Sequence, residues 1–551
     1  MRRNMKRNMN IKAKLVSILL TFFVVFNLLP TSALADASGY HYDGTTGTLT
    51  VYSNGETQNS AAWRQKSEIV NNVVTVVLDD SITSVGDGFD GLPELTTVWI
   101  GENVTGFVRP FTQCPKLVEI NVSEKNAYFE SVDGVLFAED GAGNLVRLVR
   151  YPQGKPDERY EVPEDVEIIG DRAFHRCENL NVVTLPPSLK TIGDYVFMYC
   201  RMLSSINIPD SVTSIGYEAF AYSGLESVAI PDQVAAIKTN TFMAYAKLGS
   251  VEIGAGVNSI DYNAFTGCVK LEEIIVSAEN ESFESIDGVL YAEDGAGNLV
   301  RLVRYPQGKT GTSYVVPDGV ETIGQRAFYD NNGYLTSIEF PDSVTAIETE
   351  AVYGCSQLVD VRLGDGLETI GVRAFSGAKF PRIVIPATVT SIANSAFSGN
   401  SSLKVVVAKG DTAPNLGTYV FSSSNSFVFV PVGAFGYTTE NGWPASVFEG
   451  MAYLAPTPTV TFTATEPDSG TLSNVDTTMK YSVDGGSTWI SVTGATMDIS
   501  GVTATNGIKV KRSGNRTTTL DSEVQTITVT RRKRLQQVRQ TAIPWPTMTE
   551  S

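Results

Sequence analysis

The chain has 551 residues, with 42 Lys or Arg against 60 Asp or Glu and a net charge of −18 at pH 7. A surface this acidic repels nucleic acid and anionic lipid headgroups, which excludes both as expected partners. The length leaves room for more than one domain.

In chain order the first element is an export signal. Arg2, Arg3, Lys6, Arg7, Lys12 and Lys14 precede an apolar run from Leu15 to Leu29, broken by Ser17, Thr21 and Asn27, and Ala33-Leu34-Ala35 follows. Basic, apolar and small-residue segments in that order read as a secretory signal peptide over residues 1–35. The apolar run is shorter than the ~20 residues that span a bilayer. Cleavage removes six positive and no negative charges and leaves −24. No later segment is apolar enough for membrane insertion, so a secreted or cell-surface product is expected.

Residues 36–80 read as an N-terminal β cap. Tyr-His-Tyr-Asp-Gly-Thr-Thr-Gly-Thr-Leu-Thr-Val-Tyr, from Tyr40 to Tyr52, has the pattern of a polar-tipped hairpin, and Trp63 follows it. From 81 to 454 the chain repeats. Phe174, Phe197, Phe220, Phe242 and Phe265 are 22 or 23 residues apart, Phe89 and Phe111 begin the series, and Phe328, Val352, Phe375, Phe397 and Phe421 continue it. One turn, Leu180 to Leu203, carries Leu180, Val183, Leu185, Leu189, Ile192, Val196, Phe197 and Cys200 at offsets that recur in most other turns. A period of 20 to 29 with Leu and Ile at fixed offsets marks a leucine-rich-repeat solenoid. One turn cannot bury enough apolar surface to offset its ordering entropy, so neighbouring turns must share their cores. Leu180-x-x-Val183-x-Leu185-Pro186 is predicted to be a short strand ended by Pro, Val212 to Ile215 a second short edge, and Ile215 to Phe220 a brief helical or 3-10 turn.

The unit Val-x-Ile-Pro-x-x-Val-x-x-Ile-Gly-x-x-Ala-Phe-x-x-Cys-x-x-Leu, clearest in Ile208 to Gly216 and Ile169 to Phe174, resembles the BspA-type leucine-rich repeats of bacterial surface proteins. The resemblance covers roughly residues 40–450. It implies an exported or surface protein, with adhesion to host matrix proteins or epithelium as one family role. Phe429-Val430-Pro431 with Tyr437 and Trp443 is similar to the family's closing segment.

Inside the array, residues 138–155 reappear unchanged at 292–309. The gaps Phe111 to Phe174 and Phe265 to Phe328 are both 63 residues, so each is read as a turn with an inserted hairpin, near 128–160 and 282–314. In the first, Gly134 to Phe137 is expected to pair with Leu145 to Leu148 across Asp140-Gly141-Ala142-Gly143. Asp140, Asn144, Asp294 and Asn298 lack the alternating-ligand spacing of a calcium loop. Arg147, Arg150, Arg301 and Arg304 form two matching basic spots, expected to pair with carboxylates rather than to meet an anionic ligand.

Chemistry-bearing motifs are thin. Cys114, Cys177, Cys200, Cys268 and Cys355 each lie three residues after the Phe-type position, a slot filled elsewhere by Leu92, Ser223, Tyr245, Asn331 and Ala378. They are expected as buried free thiols, with Cys177 and Cys200 alone in adjacent turns where a bridge is geometrically open. His41 and His175 have no metal-ligand partner at useful spacing, and neither HExxH, GxSxG nor a P-loop occurs. No cofactor, no metal and no enzymatic activity is expected.

After the Pro/Thr linker Ala455 to Thr459, residues 455–530 alternate apolar and polar in short runs, with Asp484-Gly485-Gly486 as a hairpin signal between Met479–Val483 and Ser487–Val492. An immunoglobulin- or fibronectin-like β-sandwich is expected, with Trp489 packed on its hairpin rather than serving as a sugar platform. Residues 531–551 form a polar tail that opens on Arg531-Arg532-Lys533-Arg534.

The leading functional reading is an adhesin-like, monomeric binding protein for a protein or glycan. Strand alternation places Trp99, Asn121, Thr184, Asn207, Ala229, Glu252, Ile275, Glu339 and Arg362 on the outward face. The alternatives are a structural spacer of the cell envelope and, a poor third, a carbohydrate-active enzyme.

Overall fold

The computed structural model describes residues 39–527, apart from 244–246, 423, 425, 450–452, 455–458, 467–468, 503–506, 514–518 and 521–524. The signal peptide, most of the Pro/Thr linker and the polar tail lie outside the described residues. These residues fall in two compact units, 39–312 with 322–335, and 313–321 with 336–527. The fold is a β-solenoid of about 16 turns followed by small antiparallel sheets.

In the first unit the chain opens with the hairpin Tyr40–Asp43 and Thr48–Val51. Its second strand starts a parallel ladder through Thr75–Leu78, Thr97–Ile100 and Glu119–Val122. Later turns repeat the design. Arg159–Glu161, Val182–Thr184 and Ser205–Asn207 pair in parallel with one-turn register, Val183 opposite Ile206. A second ladder of two-residue strands runs alongside, Ile168–Ile169, Thr191–Ile192 and Ser214–Ile215. Between the two, Pro186 and Pro209 accept from the amides of Leu189 and Val212, so each proline begins a tight turn. The inward set Val183, Leu185, Leu189, Ile192, Phe197, Cys200 and Leu203 is buried in one continuous core.

The Phe segment differs from its expected helical form. Around Phe174 the amides of Ala173, His175 and Cys177 donate to the carbonyls of Gly170, Arg172 and Phe174, which makes three overlapping β-turns. Arg172 and Arg176 hold φ of 58° and 60°, and Tyr195, Tyr199 and Tyr222 repeat that left-handed geometry. The reason is the hydrogen-bond accounting. The amides of Arg172, Phe174 and Arg176 donate to Asp194, Val196 and Met198 of the next turn, at 2.8, 3.1 and 2.9 Å. A helix would spend those donors within its own segment and leave the stack unpaired. Turns also approach closely here: a Cβ on Gly216 would stand 2.4 Å from the Gly193 carbonyl, which only glycine permits.

The Phe rings form a stacked spine. Centroids from Phe174 through Phe197, Phe220, Phe242 and Phe265 are 5.2, 5.6, 5.9 and 5.7 Å apart, with planes within 12°. Trp63 stacks on Phe89 at 5.5 Å and covers that end of the series.

Each long gap, expected as one turn, holds two, because Tyr151 and Tyr305 stack on Phe174 and Phe328, and the earlier turn carries a three-stranded meander. Phe129–Val132, Val135–Glu139 and Leu145–Arg150 pair antiparallel in order, and Phe283–Ile286, Val289–Glu293 and Leu299–Arg304 repeat them. The second hairpin is the expected one. The first turns on Asp133-Gly134, both residues at positive φ (50° and 78°), as a type I′ turn requires. The third strand rejoins the solenoid: Arg147 and Leu148 pair in parallel with Ile168 and Ile169. Tyr151 then takes the Phe position, stacked on Phe174 at 5.3 Å.

In the second unit Ser313–Val315, Ser337–Glu339 and Asp360–Arg362 form one ladder, and Arg382–Ile385, Val405–Ala408, Phe427–Val430 and Val447–Glu449 another. Phe375, Phe397 and Phe421 stack at 5.4 and 5.5 Å, and Trp443 closes the series 5.5 Å from Phe421. Tyr437 packs edge-on to Trp443 and donates its hydroxyl to the Gly410 carbonyl at 2.8 Å. Beyond it lie two antiparallel sheets, Thr461–Glu466, Ser469–Ser473 and Thr496–Ser500 in one, Ile490–Ser491, Met479–Ser482, Ile508–Arg512 and Gln525–Ile527 in the other. They share a core that includes Leu472, Tyr481, Ile499 and Val510.

Candidate functional site

The outward strand positions are held by register. Trp99 lies directly opposite Asn121 on neighbouring parallel strands. Thr184 is opposite Asn207, and Glu252 lies between Ala229 and Ile275. In the second unit Glu339 is opposite Arg362, and their side chains form a 2.7 Å ion pair between turns. Both partners are substantially exposed, so this pair contributes at most ~1 kcal/mol. Thr184, Asn207, Glu252 and Arg362 are exposed, while Trp99, Asn121 and Glu339 are half-buried. The structure therefore brings these residues together two or three at a time, on separate sheets. In the first unit the inserted meander interrupts the row: beyond Glu119–Val122 the Ile120 amide donates to the Gly134 carbonyl, so a hairpin turn replaces the next strand.

Chemistry-bearing side chains sit elsewhere, in the core. All five cysteines are buried and free. The thiols of Cys200 and Cys268 donate to the carbonyls of Phe174 and Phe242 one turn back, both at 2.9 Å, and Cys114 donates to Phe89 at 3.3 Å. Burial pushes the Cys114 thiol up to about 11 and the Cys177 thiol up to about 12, and raises that of Cys200. Thiols held this far above neutral pH are inert. A thiol reagent is expected to find almost none in the native protein and five after unfolding without reductant; three after unfolding would reveal a Cys177–Cys200 bridge.

Two of the four duplicated arginines require a correction, Arg147 being exposed and Arg301 half-buried. Arg150 and Arg304, expected in basic surface spots, are 0% and 3% exposed. Their guanidinium groups donate to the Arg172 and Arg326 carbonyls one turn on, and Arg304 also to Phe265. Each occupies the alanine slot before the aromatic position, so its side chain has no route to solvent and satisfies backbone acceptors instead. Asp140 is likewise fully engaged by its own loop, accepting from the Ala142 and Asn144 amides and the Asn144 side chain.

His175 is a buried titratable group whose shift falls in the acid range. Burial, reinforced by the charges of Arg150, Arg176 and Arg172, lowers its pKa from 6.5 to about 3. The unfolded chain therefore takes up this proton first as pH falls, and the contribution to stability is complete above about pH 6.5 and declines toward pH 3. Relative to His175→Gln, wild type should lose about 2–3 kcal/mol between pH 7 and 4.5, at ~1.4 kcal/mol per unit. Urea titrations at the two pH values measure it, and a difference that does not change with pH would refute it.

Sequence reasoning missed Asn126 and Asn280. Asn126 is buried, donates to the Gly101 and Val104 carbonyls at 2.9 and 3.0 Å, and accepts from the Tyr128 and Phe129 amides at 2.9 and 3.0 Å. Asn280 repeats all four bonds. Equivalent placement before the two meanders was the available signal.

Among the described residues no group of three or more His, Cys, Asp or Glu could hold a metal ion, and no helix is long and apolar enough to cross a membrane. The family model "BspA type Leucine rich repeat region" matches residues 159–287 and 309–432 in six copies. The chain therefore carries a BspA-type leucine-rich-repeat region over these residues. No curated protein matches it. Similar solved structures include a leucine-rich cell surface protein of Faecalibacterium prausnitzii, with 23% identity over 76% of this chain and 98% of that one and a TM-score of 0.45. The pneumococcal vaccine antigen PcpA follows, with 21% identity over 66% and 69% and a TM-score of 0.37. A leucine-rich-repeat protein of Eubacterium ventriosum has 19% identity over 71% and 84%, again at 0.37. The repeat consensus accounts for the cysteines and the recurring Phe series as packing positions.

Proposed function

We propose that the protein is exported, sits at the cell surface or is released from it, and binds a protein or glycan through the outward strand face of its repeats. The observation that carries this reading is the separation of roles within each turn. Cysteines, His175, Arg150 and Arg304 are buried, while the exposed, in-register positions vary from turn to turn: Thr184, Asn207, Glu252, Arg362. A packed scaffold with a variable ordered face suits recognition rather than catalysis. Adhesion to host matrix or epithelium is the family role that this face would serve, and the protein acts as a monomer without cofactor.

The test is a binding screen of the mature chain against matrix proteins and glycans, together with cell fractionation. Saturable binding at micromolar concentration or tighter is expected. Trp99→Ala combined with Arg362→Ala should weaken it at least about tenfold, the equivalent of ~1.4 kcal/mol. Absence of any saturable ligand would favour a structural spacer, and turnover of mucin or plant polysaccharide would favour an enzyme.

A further inference from the structure

Residues 459–551 carry ten basic and eight acidic side chains, against 32 and 52 in residues 1–458. The chain's negative charge thus belongs to the repeat region, and part of the basic complement gathers on one sheet face of the C-terminal module. Met479–Ser482 and Ile508–Arg512 pair antiparallel, with Lys480 opposite Lys511 and Ser482 opposite Lys509. Met479, Tyr481, Ile508 and Val510 belong to the core, so alternation directs Lys480, Lys509 and Lys511 to the other face. Trp489 lies there too, with the Lys511 ammonium 4.5 Å over its ring. A Cβ on Gly486 would lie 3.6 Å from Lys509 Cδ and 3.8 Å from Trp489 Cζ2, so the Lys509 stem and the indole edge meet over that glycine.

Two observations mark this face as more than a solvated surface. Like charges directly opposite one another in an antiparallel pair destabilise the sheet, yet Lys480 and Lys511 are so placed. Lys480 and Lys509 form no ion pair among the described residues, and Asp484 and Asp476, beside the same strands, are engaged by other groups. Asp484 accepts from Ser482 Oγ, the Thr488 amide and Thr488 Oγ1 at 2.6, 2.9 and 2.5 Å. Asp476 is held by Arg512 and Thr478.

We propose that this face binds an anionic polysaccharide, the lysines engaging its charged groups and the indole a sugar ring. Lysine ammonium groups bind carboxylate, sulfate or phosphate as mobile point charges, and a half-buried indole offers an amphipathic platform beside them. A duplex nucleic acid, at one charge per ~1.7 Å, would meet far stronger repulsion from the acidic repeats and offers no pyranose ring to Trp489. The proposal rests on export of the chain, since such polymers coat cell surfaces, and it is independent of the strand face described above.

The mature full chain is tested at low salt with alginate, chondroitin sulfate, dextran and duplex DNA. Alginate or chondroitin sulfate should bind and weaken as salt rises, and dextran should not bind. Lys480→Glu with Lys509→Glu should reduce affinity at least about tenfold without lowering the thermal transition, and Lys480→Arg with Lys509→Arg should retain it. Trp99→Ala with Arg362→Ala should leave it unchanged, which separates this face from the repeat face. No binding of either polyanion, equal binding by the Glu variant, or preference for DNA overturns the proposal. So does self-association in sedimentation that the Glu variant abolishes, because the face would then be occupied by a second copy.

Discussion

Phe220→Ala is expected to destabilise the solenoid by about 3–5 kcal/mol. The ring is fully buried and stacked between Phe197 and Phe242 at 5.6 and 5.9 Å, nearly parallel to both. Removing it forfeits two stacking contacts and leaves a void that the backbone cannot close. The amides on either side are tied to fixed partners, Phe197 to Ala219 at 2.7 Å and Phe220 to Thr241 at 3.1 Å. In a stacked array the damage should be local, because each turn contacts mainly its neighbours. Hydrogen exchange is therefore the informative measurement: amides between about residues 190 and 260 should lose protection while the Trp63 cap keeps its own. Uniform loss across the first unit would show one cooperative block instead. A denaturant titration should broaden as well as shift, since a decoupled array is not two-state.

Asn126→Ala should cost at least ~3 kcal/mol, although a single short side chain is changed. Four backbone groups depend on it: the Gly101 and Val104 carbonyls lose donors, and the Tyr128 and Phe129 amides lose their acceptor. Each buried group left unpaired costs ~1–3 kcal/mol, partly recovered where water enters. Asn126→Asp keeps the two acceptor bonds but sets an acceptor-only oxygen against the Gly101 and Val104 carbonyls, so it too should be destabilised relative to wild type. The readout is thermal stability, together with exchange at Tyr128, Phe129 and the strand Val135–Glu139. Asn280→Ala should reproduce the effect around Phe283. An Ala variant within about 1 kcal/mol of wild type would show that water replaces the side chain fully.

The two predictions differ in how far they were visible in the chain. Phe220 belongs to a series that periodicity exposes at once, because the spacing that places a ring at every turn also places it over the ring below. Asn126 has no periodic signature, since it acts where the period is interrupted. The meander shows the same limit. Asp140 to Gly143 announced one hairpin, whereas the strand Phe129–Val132 and its Asp133-Gly134 turn were overlooked despite a recognisable dipeptide. That Leu145–Arg150 then serves as a solenoid strand, with Tyr151 in the Phe position, depends on pairing with Ile168–Ile169. The candidate face was legible as a set of outward positions, but its division among separate sheets was not.

What the amino-acid sequence determined by itself was the repeating turn: its length, its inward residues, the cysteine slot and the recurring aromatic position. These follow from spacing along one chain, because a parallel stack maps equal offsets onto equal places. Tertiary structure decided the rest. Arg150 and Arg304 looked like surface charges until neighbouring turns closed over them; the Arg304 guanidinium bonds Phe265, 39 residues away. The left-handed residues flanking each Phe are also set from outside, by amides that must reach the next turn. Offsets along the chain reveal which side chains share a layer, but the partner of a buried polar group is known only once the layers are stacked.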